Sequence, residues 1–243
     1  MRGTFSSIAR RYDLANHCLS GGIDFLWRAR AAKIVASWRP GRVLDLATGS
    51  GDLALAIRRA CPGTPVVGAD FCVPMLEIAR DKSVPALVQA DALALPFRDG
   101  VFGAVSVAFG LRNMASWPRA IAEIARVLEP GGRLLVMDFA LPQNPILRGA
   151  YRIYLHRVLP VLAGLLTRRP DAYEYLAESI EKFPRWENMT CLLESGGLRP
   201  AAPVPLATGI AAIYTAQKPA GIFPHPVDGI FQNVGISSSG SRA

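Results

Sequence analysis

Val43-Leu44-Asp45-Leu46-Ala47-Thr48-Gly49-Ser50-Gly51-Asp52 reads as a buried strand that runs into a glycine-rich turn and opens a helix. Such a turn brings bare backbone close to a ligand at a helix N-terminus. Gly49 and Gly51 leave no side chain in the way and take backbone angles that other residues avoid. An acid, Asp70, ends the next apolar strand, where it can hold a ribose. Together these features indicate a nucleoside-type cofactor.

Two cofactors compete at this point, a dinucleotide and S-adenosylmethionine. Gly49-x-Gly51-x-x-Ala54 fits the dinucleotide fingerprint loosely, with Asp70 near the distance of a ribose acid. Two further acids turn the reading. Asp45 sits inside the strand end, four residues before the first glycine. Asp91 ends the next short apolar run, Ala86-Leu87-Val88-Gln89-Ala90-Asp91-Ala92, and a dinucleotide enzyme has no particular need of it. Acids closing three successive strands resemble the way class I methyltransferases grip S-adenosylmethionine. An ordinary strand-turn-helix explains the glycines but not the three placed acids.

The 243 residues suffice for one α/β domain with a sizeable core, or one domain with a small lid. Four cysteines, Cys18, Cys61, Cys72 and Cys191, are scattered without a CxxC pair, which argues against a zinc site or a disulfide framework and suits a reducing compartment. Three dispersed histidines, His17, His156 and His225, suggest no metal. The N-terminus lacks the apolar core of a signal peptide, and no run approaches about 18 uncharged apolar residues. A cytoplasmic protein is expected, in peripheral contact with the inner face of the membrane at most. The net charge of +8 is spread over the chain with no basic run interleaved with aromatics, so a solvated surface is expected and nucleic acid is not.

Residues 1–40 form a helical N-terminal cap, broken at Gly21-Gly22 and closed by Pro40-Gly41. Strands are expected at about 42–47, 65–70, 86–90, 102–108, 133–138 and 210–216, with helices between them. Leu53, Ile57 and Ala60 share a helical face, Pro74 opens the next helix, and Ser116 can cap one that carries Ile121, Ile124 and Leu128. This alternation requires right-handed crossovers and a mainly parallel sheet, with its binding site at the carboxyl ends of the strands. Residues 142–184 break the pattern as a helical insertion or lid, with Tyr151, Tyr154, Leu155, Val158 and Leu162 on an apolar stripe. Arg148, Arg152, Arg157, Arg168 and Arg169 flank it, a pattern that suits a membrane surface, a lid, or a helix packed on its own domain. Asn188 to Glu194 reads as a further helix, and 219–243 as a loosely ordered tail behind a single domain of residues 1–218.

Several stretches together resemble the ubiquinone/menaquinone biosynthesis C-methyltransferase family. They are Phe5 to Asp13, Val43 to Asp52, Ala94-Leu95-Pro96-Phe97, Ala108-Phe109-Gly110-Leu111-Arg112-Asn113, Pro130 to Val136 and Tyr175 to Ile180. The Phe109 to Asn113 and Tyr175 to Ile180 stretches are the specific ones. The resemblance implies a Rossmann-like class I fold, with a mainly parallel seven-stranded sheet and helices on both faces. It implies methyl transfer from S-adenosylmethionine, leaving S-adenosylhomocysteine, to a ring carbon of demethylmenaquinol or of a methoxy-polyprenyl-benzoquinol. Cofactor positions carry over to Ser50, Asp70, Asp91 and Ala92, to which Asp45, Gly49, Gly51, Phe71 and Ala108 are added. Ser50 stands where Thr is more frequent, Ala108 where some members have a contacting Ser, and Tyr214 where His is frequent.

A quinol carbon becomes nucleophilic once a ring hydroxyl loses its proton, and a phenol pKa near 10 makes that depend on a base or a nearby positive charge. Arg112 is expected to stabilise the phenolate oxygen or orient a water, with a salt bridge holding the loop as the alternative; Asn113 is expected to bond a ring oxygen. Tyr12, Phe109 and Tyr154 are the expected substrate contacts, His156 a lesser one. A homodimer is a further expectation. Other readings remain open: another phenolic acceptor, a non-catalytic cofactor-binding protein, and a dinucleotide oxidoreductase.

Overall fold

The structure is a computed structural model that describes residues 22–158 and 171–221, with backbone alone for 171–176. Tyr12, Leu162, Arg168, Arg169, the segment before Gly22 and the tail beyond Gly221 lie outside the described residues.

Helix α1 (Asp24–Ser37) precedes two strand-helix units and a third strand: β1 (Val43–Leu46), α2 (Asp52–Ala60), β2 (Val66–Asp70), α3 (Val73–Asp81) and β3 (Ala86–Gln89). Then come β4 (Phe102–Ala108), α4 (Trp117–Val127) and β5 (Leu128–Phe139). The insertion holds α5 (Pro145–Ile153), a π-helical turn (Tyr154–Val158) and α6 (Asp171–Lys182), and the chain then forms α7 (Glu187–Ser195), β6 (Arg199–Pro200), β7 (Val204–Leu206) and β8 (Ala211–Gln217).

The sheet runs β3-β2-β1-β4-β5-β8-β6, and β7 also pairs with β8. β1 to β5 are mutually parallel, and β8 enters antiparallel to β5. Sequence patterning finds six of these strands and misses β6 and β7. Both are two or three residues long and carry Pro200 and Pro205, so neither gives an alternating apolar signal. They pair with opposite halves of β8, β6 at Ala216 and Gln217 and β7 at Ala211 to Ile213. Together they fill the seventh position of the expected sheet as two segments. β5 also begins five residues before its expected start, because the chain leaves α4 directly into the strand through Glu129-Pro130-Gly131-Gly132.

Alternation along the strands divides the core in two. Val43, Ala104, Leu135, Met137 and Ile213 face α1 and α2, meeting Ala31, Val35, Leu53 and Ile57. Leu44, Leu46, Val105, Val107, Val136 and Ala212 face α4 and α7, meeting Ile121, Ile124, Val127 and Leu193. Burying each of these larger side chains is worth about 1.5–3 kcal/mol, which is why both sheet faces must be covered. Ser116 stands at the N-cap of α4 without a side-chain capping bond. Asn144 does cap α5, its Oδ1 accepting from the N–H groups of Ile146 at 2.9 Å and Leu147 at 3.2 Å. Of the expected apolar stripe, Tyr151 and Leu155 are buried, Tyr154 is half-buried and Val158 is exposed. Among the described residues no helix is long and apolar enough to cross a membrane.

Candidate active site

β1 delivers Asp45 in register beside Ser106 of β4. Its Oδ1 accepts from Ser106 Oγ at 2.7 Å and its Oδ2 from Thr48 Oγ1 at 2.7 Å. Burial raises its pKa to about 6, opposed by those two hydroxyls and by the charge of Arg28. Asp45 therefore ties the sheet to the start of the glycine turn as well as facing the cavity beside it.

The turn is built from left-handed residues: Ala47 (φ 53°), Gly49 (φ 56°) and Gly51 (φ 85°). At β4's end Phe109 is left-handed too, at φ 57°. A non-glycine residue held in that region costs on the order of 1 kcal/mol or more and persists where its surroundings over-determine it, commonly at ligand sites. The two strained strand ends press together: a Cβ on Gly110 would lie 2.4 Å from the Cβ of Ala47. Gly51 is required by packing, since a Cβ there would lie 2.5 Å from Val84 Cγ2.

Asp70, at the end of β2, accepts from the N–H of Gly49 at 2.8 Å through Oδ2 and of Cys72 at 2.9 Å through Oδ1. Asp70 thereby ties the end of β2 to the glycine turn, and it lines the cavity at the strand ends. Asp91 is exposed, its Oδ1 accepting from the N–H of Leu93 at 2.9 Å. Ser50 is buried, its Oγ donating to Asp52 Oδ2 at 3.3 Å and accepting from Lys82 Nζ at 3.1 Å.

These strand ends enclose a cavity of about 610 Å³, within the range of small-molecule sites. Asp45, Gly49, Ser50, Asp70, Phe71, Asp91, Ala92, Ala108, Phe109 and Asn113 all line it. Gly51 does not, and acts through packing. Among the described residues four carboxylates line the wall, those of Asp45, Asp52, Asp70 and Asp91, against one basic side chain, Arg28.

The structure places Arg112 outside the described cavity lining. Its guanidinium is sealed from solvent. Nη1 donates to Asp138 Oδ1 at 2.6 Å and to the carbonyl of Phe109 at 2.7 Å, and the group lies over the Phe139 ring at 5.5 Å. This is the salt bridge that holds the loop, on the 3-10 turn (Leu111–Asn113). Asn113 reaches the cavity, with Nδ2 donating to the carbonyl of Phe109 at 3.4 Å. Tyr154 also lies outside the cavity lining, stacked on Tyr151 with centroids 6.1 Å apart. His156 is exposed and sits 3.4 Å from Glu181. Tyr214 points away from the site, its hydroxyl accepting from the N–H of Trp186 at 3.0 Å, with burial pushing its pKa up to about 12.

Sequence reasoning missed Arg28 and Asp138. Asp138 carried a usable signal: a lone acid inside the apolar run Leu134 to Phe139 must find a partner. Arg28 carried none, because which face of α1 meets the cavity is decided by tertiary packing.

Comparison with known proteins agrees with the fold and the motifs. The chain matches the ubiE/COQ5 methyltransferase family over residues 1–218. It is 47% identical over 220 residues to the demethylmenaquinone methyltransferase of Thermus thermophilus, covering 88% of this chain and 100% of that one. It is 40% identical over 226 residues to the ubiquinone/menaquinone biosynthesis C-methyltransferase UbiE of Geobacter sulfurreducens, covering 90% of this chain and 88% of that one. A crystal structure of an S-adenosylmethionine-dependent methyltransferase from Thermotoga maritima matches with a TM-score of 0.64 at 17% identity, covering 90% of this chain and 100% of that one, a likeness of fold. With its glycine turn, its three strand-end acids and this match across nine-tenths of its length, the chain belongs to the ubiE/COQ5 methyltransferase family.

Proposed function

We propose that this protein methylates a ring carbon of a prenylated quinol, with S-adenosylmethionine as donor. One observation carries the cofactor reading: among the described residues, four carboxylates and one arginine line a cavity at the strand ends. Such a wall suits a ligand bearing a sulfonium and an ammonium, and repels a pyrophosphate. Asp70 would take the ribose diol, Asp91 and Ala92 the base, and the glycine turn the backbone-facing edge. Bound there, the cofactor supplies a methyl group already activated on sulfur. The acceptor class rests on family membership and on the names of the relatives.

The chain's own contribution is placement and exclusion of water. Phe109 and Asn113 line the wall at the end of β4, where an acceptor ring would lie beside an amide able to bond its oxygen. Arg112 acts as a positioning residue: through Asp138 and the Phe109 carbonyl it fixes the turn that carries Asn113. Residues 142–184 would serve as a lid over the 1–218 domain. α5 exposes Ile146 at 81% and Ile153 at 60%, beside Arg148, Arg152 and Arg157. That pairing supports peripheral contact with an anionic membrane, from which a prenylated substrate would enter. Self-association into a homodimer is testable by sedimentation.

The deciding experiment incubates purified protein and methyl-labelled S-adenosylmethionine with a short-chain demethylmenaquinone kept reduced. Label on a ring carbon, by mass spectrometry, is the expected result. Label on an unrelated phenol and none on any quinol would overturn the acceptor.

A further inference from the structure

We propose that a second pocket, between α5 and α7, is a phosphate-binding subsite for the headgroup of an anionic phospholipid. The proposal rests on the membrane-contact reading above and deepens it by naming the group that is gripped.

The pocket encloses about 310 Å³ and shares no lining residue with the strand-end cavity. Pro142 and Gln143 follow β5, Arg148 comes from α5, and Arg185, Trp186 and Glu187 lead into α7. Trp186 fixes the shape of this wall. Its backbone lies at φ 52° and ψ −122°, a conformation that residues with side chains rarely adopt. Two bonds hold it there: its N–H donates to the Tyr214 hydroxyl at 3.0 Å, and its Nε1 to the Leu141 carbonyl at 3.0 Å. The segment that carries Arg185 is thereby tied to β8 and to the chain just after β5.

Two half-buried arginines line the pocket. Arg148 Nη2 donates to the Gln143 carbonyl at 3.2 Å, and Arg185 Nη1 to the Glu181 carbonyl at 2.9 Å. Each bond orients a guanidinium but engages one of its nitrogens, leaving donors of the fork to spare. Among the described residues neither arginine is paired with a carboxylate. Glu181 pairs with Arg152 instead, at 2.9 Å, and Glu187, the acid of the lining, is exposed and bonded to neither. Two arginine forks with spare donors suit a phosphate, which accepts them bidentately.

The apolar border selects the source of that phosphate. Ile146 and Leu147, both exposed, immediately precede Arg148 on α5, and the exposed Ile153 ends the helix. A soluble phosphate would leave those side chains in water. A phospholipid brings acyl chains to cover them while its headgroup enters between the arginines.

Vesicle sedimentation with the full chain tests this. The probes are vesicles of phosphatidylcholine alone and of phosphatidylcholine with phosphatidic acid, with glycerol phosphate as the soluble counterpart. The wild-type protein should bind the phosphatidic acid vesicles about tenfold or more tightly than phosphatidylcholine alone, the scale of a charged hydrogen-bonded contact. Arg148→Lys and Arg185→Lys keep each charge and lose each fork, and each should weaken that binding several-fold. Arg157→Lys, at an exposed position of the same insertion, should leave it unchanged. An unaltered affinity for S-adenosylhomocysteine checks the fold of every variant; if Arg185→Lys does not fold, Arg148→Lys, whose bond stays local to α5, decides the matter. Full vesicle binding by both lysine variants would overturn the subsite and leave only diffuse attraction. Glycerol phosphate bound as tightly as the vesicles, by calorimetry, would overturn the lipid source. Wild-type protein that binds no vesicle would instead overturn the membrane-contact reading itself.

Discussion

Arg112 and Asp138 meet at 2.6 Å with both side chains sealed from solvent, 26 residues apart in the chain. The pair lies directly behind the cavity wall, one residue from Asn113 on one side and next to Phe139 on the other. Burial pushes the Asp138 carboxyl up, and Arg112 is the largest of the influences that oppose it. Asp138 Oδ2 is buried with no hydrogen-bond partner among the described residues. The charge of Arg112 is therefore what permits that carboxylate in the core.

Arg112→Met should destabilise the protein by about 3–5 kcal/mol, because it strands a buried carboxylate. Adding Asp138→Leu should recover most of that loss, since an apolar pair of similar volume avoids the desolvation penalty. Urea unfolding of the two variants decides this. A single variant within about 1 kcal/mol of wild type would show that the pair does not hold the turn.

Gly110→Ala should weaken cofactor binding sharply and cost about 1–3 kcal/mol of stability. The added methyl would sit 2.4 Å from the Cβ of Ala47, so the two strand ends would be forced apart. The second-site change Ala47→Gly removes that opposing atom and also relieves a left-handed residue at φ 53°. The double variant should regain most of the binding measured by calorimetry. Failure to regain any would mean that the contact is not what fixes the two ends.

Local chemistry was the legible part of this molecule. The glycine turn, the acids at 45, 70 and 91 and the strand-helix alternation are short-range patterns, and each lands at the cavity. What the sequence did not disclose depends on side-chain direction. Arg112 stands at a strand end, as its position suggests, yet its side chain turns inward to an acid on the next strand. Arg28 sits on a helix whose exposed face carries Phe25 and Leu26 as well, so no clean periodicity marks its inner side. β6 and β7 are too short and too proline-bearing to register, and only β8 gives them a partner.

Tyr151→Phe should leave stability unchanged or raise it by about 1 kcal/mol. The hydroxyl of Tyr151 is buried with no hydrogen-bond partner among the described residues, and burial drives its pKa well above the ordinary value. The ring packs in the apolar core with Leu155, while the oxygen contributes only a desolvation cost. Thermal unfolding checks it. A loss above about 1 kcal/mol would reveal a partner for the hydroxyl, most simply an ordered water.

Asp45 gives the protein a pH signature of defined sign. Its pKa is 3.8 ordinarily and about 6 in the fold. Between those values the folded protein holds more of the proton than the unfolded chain does, so protonation favours folding. The contribution of Asp45 to stability therefore falls as pH rises through this window, by at most about 3 kcal/mol in all. Below the window both states are protonated; above it both are ionised and the penalty is constant. Asp45→Asn removes the titration while keeping a polar partner for the hydroxyls of Thr48 and Ser106. Urea unfolding across the window should give a wild-type curve that falls relative to the variant's as pH rises, and parallel curves would refute the assignment. Cofactor binding should show the opposite trend, because a sulfonium or ammonium beside Asp45 favours its charged form. Affinity for S-adenosylmethionine should rise with pH through the same window in the wild type, and stay flat in Asp45→Asn.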